Sequence, residues 1–205
     1  MVCAQPPGRG ARFLDRPHSR LDLWIEEAAE AVSPYRDRPF AFYGHSLGAW
    51  VAFEVMRRMR GDGKRQPVHF FAAASRAPHL GPVTPPIHQL PDEAFVKAIQ
   101  KRYGGIPAEI LNEPELMKMF LPVLRADFTA YETHVSRDEE PLTVPVTVVT
   151  GAEDGVVTPE IAGQWEQHTH ARFELLTLPG GHFFLTRSQN ALLALIEDRL
   201  FSANR

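Results

Sequence analysis

The chain of 205 residues is long enough for one domain with a substantial core, and 44% hydrophobic with 23% charged residues is a globular rather than a disordered or membrane balance. A formal net charge of −3 without a long run of one sign argues against a nucleic-acid or anionic-membrane surface. The single cysteine, Cys3, excludes an internal disulfide and fits a reducing cytoplasm, and the nine histidines show no metal-ligand spacing.

Along the chain, residues 1–5 read as a short strand ended by Pro6-Pro7-Gly8, with Cys3 buried in it. Apolar residues at helical spacing predict a helix over 21–32, with Asp22 near its start. Pro39 opens a strand over 40–43, and a helix over 49–60 follows, stopped by Gly61-Asp62-Gly63. The apolar run 68–74 reads as a strand buried on both faces, as in a parallel sheet. The pattern changes between 77 and 144. No strand is predicted there, six prolines between Pro78 and Pro107 break the segment, and two helices stand out over 92–103 and 114–134. The second carries Leu116, Met117, Met119, Phe120, Leu124 and Phe128, more apolar surface than a solvated helix shows. Alternation resumes with a strand over 146–149, a helix over 159–168, a strand over 173–178 and a helix over 189–201. The expected fold is a single α/β domain over 1–205: a mostly parallel sheet with helices on both faces, interrupted by a helical insertion at about 77–144, where a lid would sit. No apolar stretch reaches 18 residues and the first residues lack a signal-peptide pattern, so a cytoplasmic protein with no membrane segment is expected, and a monomer by default.

The pentapeptide Gly44-His45-Ser46-Leu47-Gly48 falls where an apolar strand passes abruptly into a helix. That sharp turn strains the serine backbone, projects its hydroxyl from the sheet edge, and asks for glycine at 44 and 48 to avoid collisions. The helix start beside it aims the Leu47 N–H at a developing oxyanion. The competing reading of Ser46 is an ordinary helix N-cap. A nucleophilic serine needs a base, and the base needs an orienting acid. His182 follows a strand and the turn Pro179-Gly180-Gly181, whose glycines would let the imidazole come close to Ser46. Asp154 ends the strand after Val146, with Glu153 as its competitor one residue away. The order Ser46, Asp154, His182 is the order used by α/β-hydrolases. His45 is read as a packing or hydrogen-bonding residue, and His79, His88, His134, His168 and His170 have no catalytic context.

These residues resemble a specific group, the type II thioesterases of polyketide and nonribosomal peptide biosynthesis. The resemblance runs over essentially the whole chain. It is carried by Pro7-Gly8-Arg9-Gly10-Ala11-Arg12, by Phe42-Tyr43-Gly44-His45-Ser46-Leu47-Gly48-Ala49, by Pro122-Val123-Leu124-Arg125-Ala126-Asp127-Phe128, and by Pro179-Gly180-Gly181-His182-Phe183-Phe184-Leu185. It implies hydrolysis of acyl thioesters on the phosphopantetheine arm of a carrier protein, with Ser46 as nucleophile, His182 as acid/base, Asp154 as its orienter, and no metal or organic cofactor. It also makes Met117, Met119, Phe120 and Leu121 candidates for the acyl-chain wall, beside the plainer reading that they hold the lid together. Arg125 and Asp127 read as a structural pair within the lid. Members of the family begin with a further strand and helix, whose Gly-rich turn supplies a second oxyanion donor. Such a unit is expected to be missing here, opening the sheet between the strand at 1–5 and the strand at 40–43. A general serine esterase or acyl-CoA hydrolase, or a non-catalytic remnant that binds carrier domains, are the alternative readings.

Overall fold

The computed structural model of the chain, which describes residues 1–202, turns four apolar runs into a parallel sheet. The strands are β1 (Ala41–His45), β2 (His69–Ala73), β3 (Val146–Gly151) and β4 (Phe173–Leu178), hydrogen-bonded in chain order. The helices are α1 (Leu21–Val32), α2 (Leu47–Met59), α3 (Asp92–Tyr103), α4 (Ala108–Leu111), α5 (Pro114–Thr133), α6 (Pro159–Gly163) and α7 (Gln189–Ser202). The helix expected over 159–168 tightens after Gly163 into a 3-10 turn, Gln164–His168.

Strand alternation divides the core into two layers. Phe42, Phe70, Ala72, Val146, Val148 and Leu175 face one side, where α1, α2 and Trp165 cover them. Tyr43, Ala73, Val149 and Leu178 face the other, where Phe184 and the α7 residues Leu192, Leu195 and Ile196 cover them. This two-sided burial leaves β2 and β3 buried at every position instead of alternating, with His69 and Thr147 satisfying each other by a hydrogen bond of 2.8 Å. Trp50, Phe53 and Trp165 are fully buried, each contributing roughly 3 kcal/mol of transfer free energy or more.

Two expectations at the N-terminus are corrected. Residues 1–5 form no strand, and Met1 and Val2 are 93% and 69% exposed. Cys3 is exposed rather than buried. Strand propensity is realised only with a ladder partner, and among the described residues β1 is hydrogen-bonded to β2 alone.

Between β2 and β3 lie α3, α4 and α5, with no strand among them. They share a separate apolar cluster in which Phe95, Ile99 and Ile106 pack with Met117, Leu121, Leu124 and Phe128. Polar side chains fasten this insertion. The buried Glu132 carboxylate accepts the backbone N–H groups of Ile87 (2.9 Å) and His88 (2.8 Å) and also contacts His88 Nδ1 at 2.7 Å. Arg125 donates to the carbonyls of His88 and Leu90 and pairs with Asp92, while Asp127 pairs with Arg9. Arg125 and Asp127 are therefore not partners of each other, because two positions along a helix put them on different faces. No helix among the described residues is long and apolar enough to cross a membrane.

Candidate active site

Ser46 lies between β1 and α2 with φ 53° and ψ −118°, a left-handed conformation costly for a residue bearing a Cβ. Its N–H donates to the Ala73 carbonyl at the end of β2 (2.8 Å), which fixes the turn against the neighbouring strand. Gly44 is required: a Cβ there would come closer than 3.0 Å to the backbone of Gly48 and Ala49. Gly48 is not required on that ground, since a Cβ there would meet nothing within 4 Å. Collision thus acts at one of the two glycines, because the chain doubles back over Gly44 only. As the residue before α2, Ser46 makes no side-chain capping bond, so the N-cap reading fails; its hydroxyl is turned to His182.

His182 reaches Ser46 because two loops are stitched together by their backbones. Ala152 N–H donates to Leu178 O (2.8 Å) and Glu153 N–H to Gly180 O (2.9 Å), joining the loop after β3 to the loop after β4. Gly151 permits this approach, because a Cβ on it would lie closer than 3.0 Å to the carbonyls of Gly180 and Gly181. The result is a hydrogen-bonded line. Ser46 Oγ is 3.1 Å from His182 Nε2, and His182 Nδ1 is 2.9 Å from Asp154 Oδ2. The His182 and Asp154 side chains are 4% and 1% exposed. Asp154 Oδ1 accepts the N–H groups of Val156 (2.9 Å) and Val157 (3.0 Å), which locks the carboxylate. Burial alone would raise the Asp154 carboxyl, but the hydrogen bond and charge of His182, with those two N–H donors, hold it below the usual carboxylate range. Glu153 points outward, 62% exposed and 3.7 Å from Arg187, so of the two acids it is Asp154 that contacts His182.

Leu47 opens α2, and the first N–H groups of a helix have no intrahelical acceptor. His45 packs beside His182 and Phe183 with centroids 5.6 and 5.7 Å away. Burial, with the neighbouring His182, lowers its pKa to about 4, so it is neutral at pH 7. Of the remaining histidines, His79 and His168 hydrogen-bond each other at 2.8 Å and His88 pairs with Glu132. The four apolar candidates of α5 separate: Met117 and Leu121 pack into the cluster around Phe95, while Met119 and Phe120 are 49% and 39% exposed.

Sequence reasoning missed Tyr103, whose ring meets His182 edge-on at 4.9 Å. The only local sign of it is the Gly104-Gly105 pair that ends its helix.

The thioesterase domain family matches residues 1–200. Linear gramicidin dehydrogenase LgrE of Brevibacillus parabrevis is 42% identical over 205 residues, covering 98% of this chain and 78% of LgrE. RedJ, a thioesterase from the prodiginine biosynthetic pathway in Streptomyces coelicolor, superposes with a TM-score of 0.85 at 37% identity, over 94% of this chain and 72% of RedJ. YbtT, a type II thioesterase from the yersiniabactin NRPS/PKS biosynthetic pathway, superposes with a TM-score of 0.86 at 26% identity, over 98% of this chain and 81% of YbtT. A strained serine at a strand-to-helix turn, on a parallel sheet matched over nearly its whole length by such proteins, belongs to the thioesterase domain family and within it to the type II thioesterases of nonribosomal peptide and polyketide pathways.

Proposed function

We propose that the chain hydrolyses acyl groups held as thioesters on the phosphopantetheine arm of a carrier protein, through a Ser46–His182–Asp154 triad. The observation that carries this reading is the unbroken line from Ser46 Oγ through His182 to Asp154 at 3.1 and 2.9 Å, in a chain of the thioesterase family. Ser46 Oγ attacks the thioester carbonyl carbon as His182 Nε2 takes its proton. The Leu47 N–H, at the positive end of α2, donates to the resulting oxyanion. The C–S bond then breaks, and the leaving sulfur takes the proton from His182. Water, losing a proton to the same nitrogen, attacks the acyl-serine ester, and the free acid departs as Ser46 recovers its proton. Asp154 holds the productive tautomer and offsets the charge that His182 acquires.

The insertion of α3, α4 and α5 serves in this reading as the lid over the crevice. Met117 and Leu121 are the acyl-wall candidates of choice, because their cluster continues through Phe128, whose ring lies 5.7 Å from that of Tyr103 beside His182. Outward-facing Met119 and Phe120 are left to the lid's outer surface. The same reading has the protein act in the cytoplasm as a monomer that meets its carrier transiently.

The test sets an acyl-carrier protein, the matching acyl-CoA and a simple aryl ester side by side, with S46A as control. Highest kcat/KM on the acyl-carrier protein, abolished in S46A, is the expected result. Preference for the aryl ester overturns the thioesterase reading, and preference for free acyl-CoA overturns the carrier. Failure of a fluorophosphonate to label Ser46 in folded protein shows a binding remnant instead.

A further inference from the structure

His182 has aromatic neighbours on two sides that belong to different parts of the molecule. Phe183 (5.1 Å between centroids) and His45 (5.6 Å) come from the strand-end loops. Tyr103, the last residue of α3, comes from the insertion and meets the imidazole at 4.9 Å with an interplanar angle of 62°. Behind Tyr103 stands Phe128 of α5, at 5.7 Å. Burial pushes the Tyr103 phenol up to about 12, so it brings a neutral ring to the imidazole. The two residues that follow have φ 64° and 84°, a left-handed pair that glycine adopts without strain. They turn the chain so that Gly105 lies flat on Phe183: a Cβ there would come closer than 3.0 Å to three atoms of that ring. Phe183 in turn stacks on His45, 5.7 Å away with an interplanar angle of 18°. The insertion therefore grips the histidine loop at two adjacent points, the imidazole itself and the residue after it.

We propose that Tyr103 is a positioning residue for His182, held in place by Gly105 seated on Phe183, so that the seating of the insertion sets the alignment of the base. Asp154 and Ser46 hold the two ring nitrogens, but hydrogen bonds at the two ends leave the ring free to tilt about the line between them. A wall edge-on to the ring removes that freedom. Misplacing a reacting group by about 1 Å costs up to ~10²-fold in rate, so a wall that only limits swing has a kinetic effect without touching substrate. The contact is one of ring surfaces, and a phenyl group supplies it as well as a phenol.

The proposal rests on the Ser46–His182–Asp154 reading, and the experiment separates the two. Y103L, Y103F and G105A are compared with wild type and S46A for kcat and KM on an acyl-pantetheine thioester, for the rate of Ser46 labelling by a small fluorophosphonate, and for Tm. Y103L is expected to lower kcat and labelling together by ~10-fold or more, with KM within ~3-fold, and Y103F to restore most of both rates. G105A, which leaves Tyr103 in the chain but unseats the turn from Phe183, is expected to reproduce the loss. Wild-type kcat in folded Y103L or G105A overturns the positioning role, as does a change confined to KM. Y103F as slow as Y103L also overturns it, by assigning the effect to the hydroxyl. If Y103L does not fold, Y103F and G105A decide alone. Full activity in S46A overturns the triad reading whatever the Tyr103 variants do, whereas an inactive S46A beside unaffected Tyr103 variants removes only the positioning role.

Discussion

The loops at the ends of the strands and the insertion between β2 and β3 are held in place by different means. At the strand ends, backbone meets backbone: Ser46 N–H on Ala73 O, Ala152 N–H on Leu178 O, Glu153 N–H on Gly180 O, with Gly44 and Gly151 where a Cβ would collide. In the insertion, side chains fasten backbone: Glu132 holds residues 87 and 88, Arg125 holds the carbonyls of 88 and 90, and Asp127 reaches Arg9. Backbone stitching leaves almost no freedom, which suits a hydrogen-bonded line that must hold within a few tenths of an ångström. Side-chain fastening releases one contact at a time, which suits an element that serves, in the proposed function, as a lid.

The largest expected effect breaks the rigid half at its chemistry. D154N keeps the volume of the acid but denies His182 an anionic partner, and it should lower kcat by ~10³–10⁴-fold with Tm nearly unchanged. E153Q, one residue away on an exposed side chain, should stay within ~2-fold. Steady-state kinetics on one thioester decides it: a larger loss in E153Q than in D154N reverses the assignment of the acid.

The next effect is structural and falls on the insertion. E132A removes a buried carboxylate that serves two N–H groups and the His88 ring, leaving them without their acceptor. Unfolding in urea should show a loss of ~3–5 kcal/mol, with proteolysis starting near residues 84–92 while the strand-end loops stay protected. Cleavage beginning instead at the β4–α7 loop would show that the two halves unfold as one unit.

The same division explains what was legible in the sequence. That Ser46, Asp154 and His182 come together was legible because each follows an apolar run, and strand ends in a parallel sheet converge on one crevice. The strand over Phe173–Leu178 and the helix over Asp92–Tyr103 match the sequence reading to the residue. Residues 1–5 misled because a strand is a property of a pair, and propensity names only one member. Arg125 and Asp127 misled for a related reason: charge marks both as needing partners, but the partners, Asp92 and Arg9, are chosen by the fold. Tyr103 carried no chemical signature, and only the packing of the insertion on the histidine loop gives it a role.

A smaller effect comes from acid. His45 has an ordinary pKa of 6.5 when exposed and about 4 in the fold, because burial and then the nearby His182 disfavour its cation. As pH falls below about 6.5 the unfolded chain takes up a proton that the folded chain refuses until about 4. Stability is therefore complete above that window and drains away across it, by ~3 kcal/mol at most. Urea unfolding at pH 7 and at pH 4.5 should show the decline, and H45Q should lessen it without abolishing it, since burial lowers His168 to about 4 as well. A wild-type stability that does not change across this window contradicts the burial of a neutral His45 in the rigid half.

The smallest effect compares two glycines of the elbow. Gly44 is walled in by the backbone of Gly48 and Ala49, so no side chain fits there. Gly48 sits in the first turn of α2, and a Cβ on it would meet no atom within 4 Å. Replacing glycine by alanine inside a helix gains ~0.5–1 kcal/mol by narrowing the unfolded ensemble, and less near an end. G48A should therefore be neutral or raise Tm by ~1–3 °C, read by differential scanning calorimetry. A drop in Tm of that size would mean that the first turn of α2 lies closer to the insertion than its open surface shows, and that the elbow shares its fastening with the insertion. A rise would place the division between the two halves directly above Ser46, with the strand-end loops rigid up to Gly48 and side-chain contacts carrying everything beyond it.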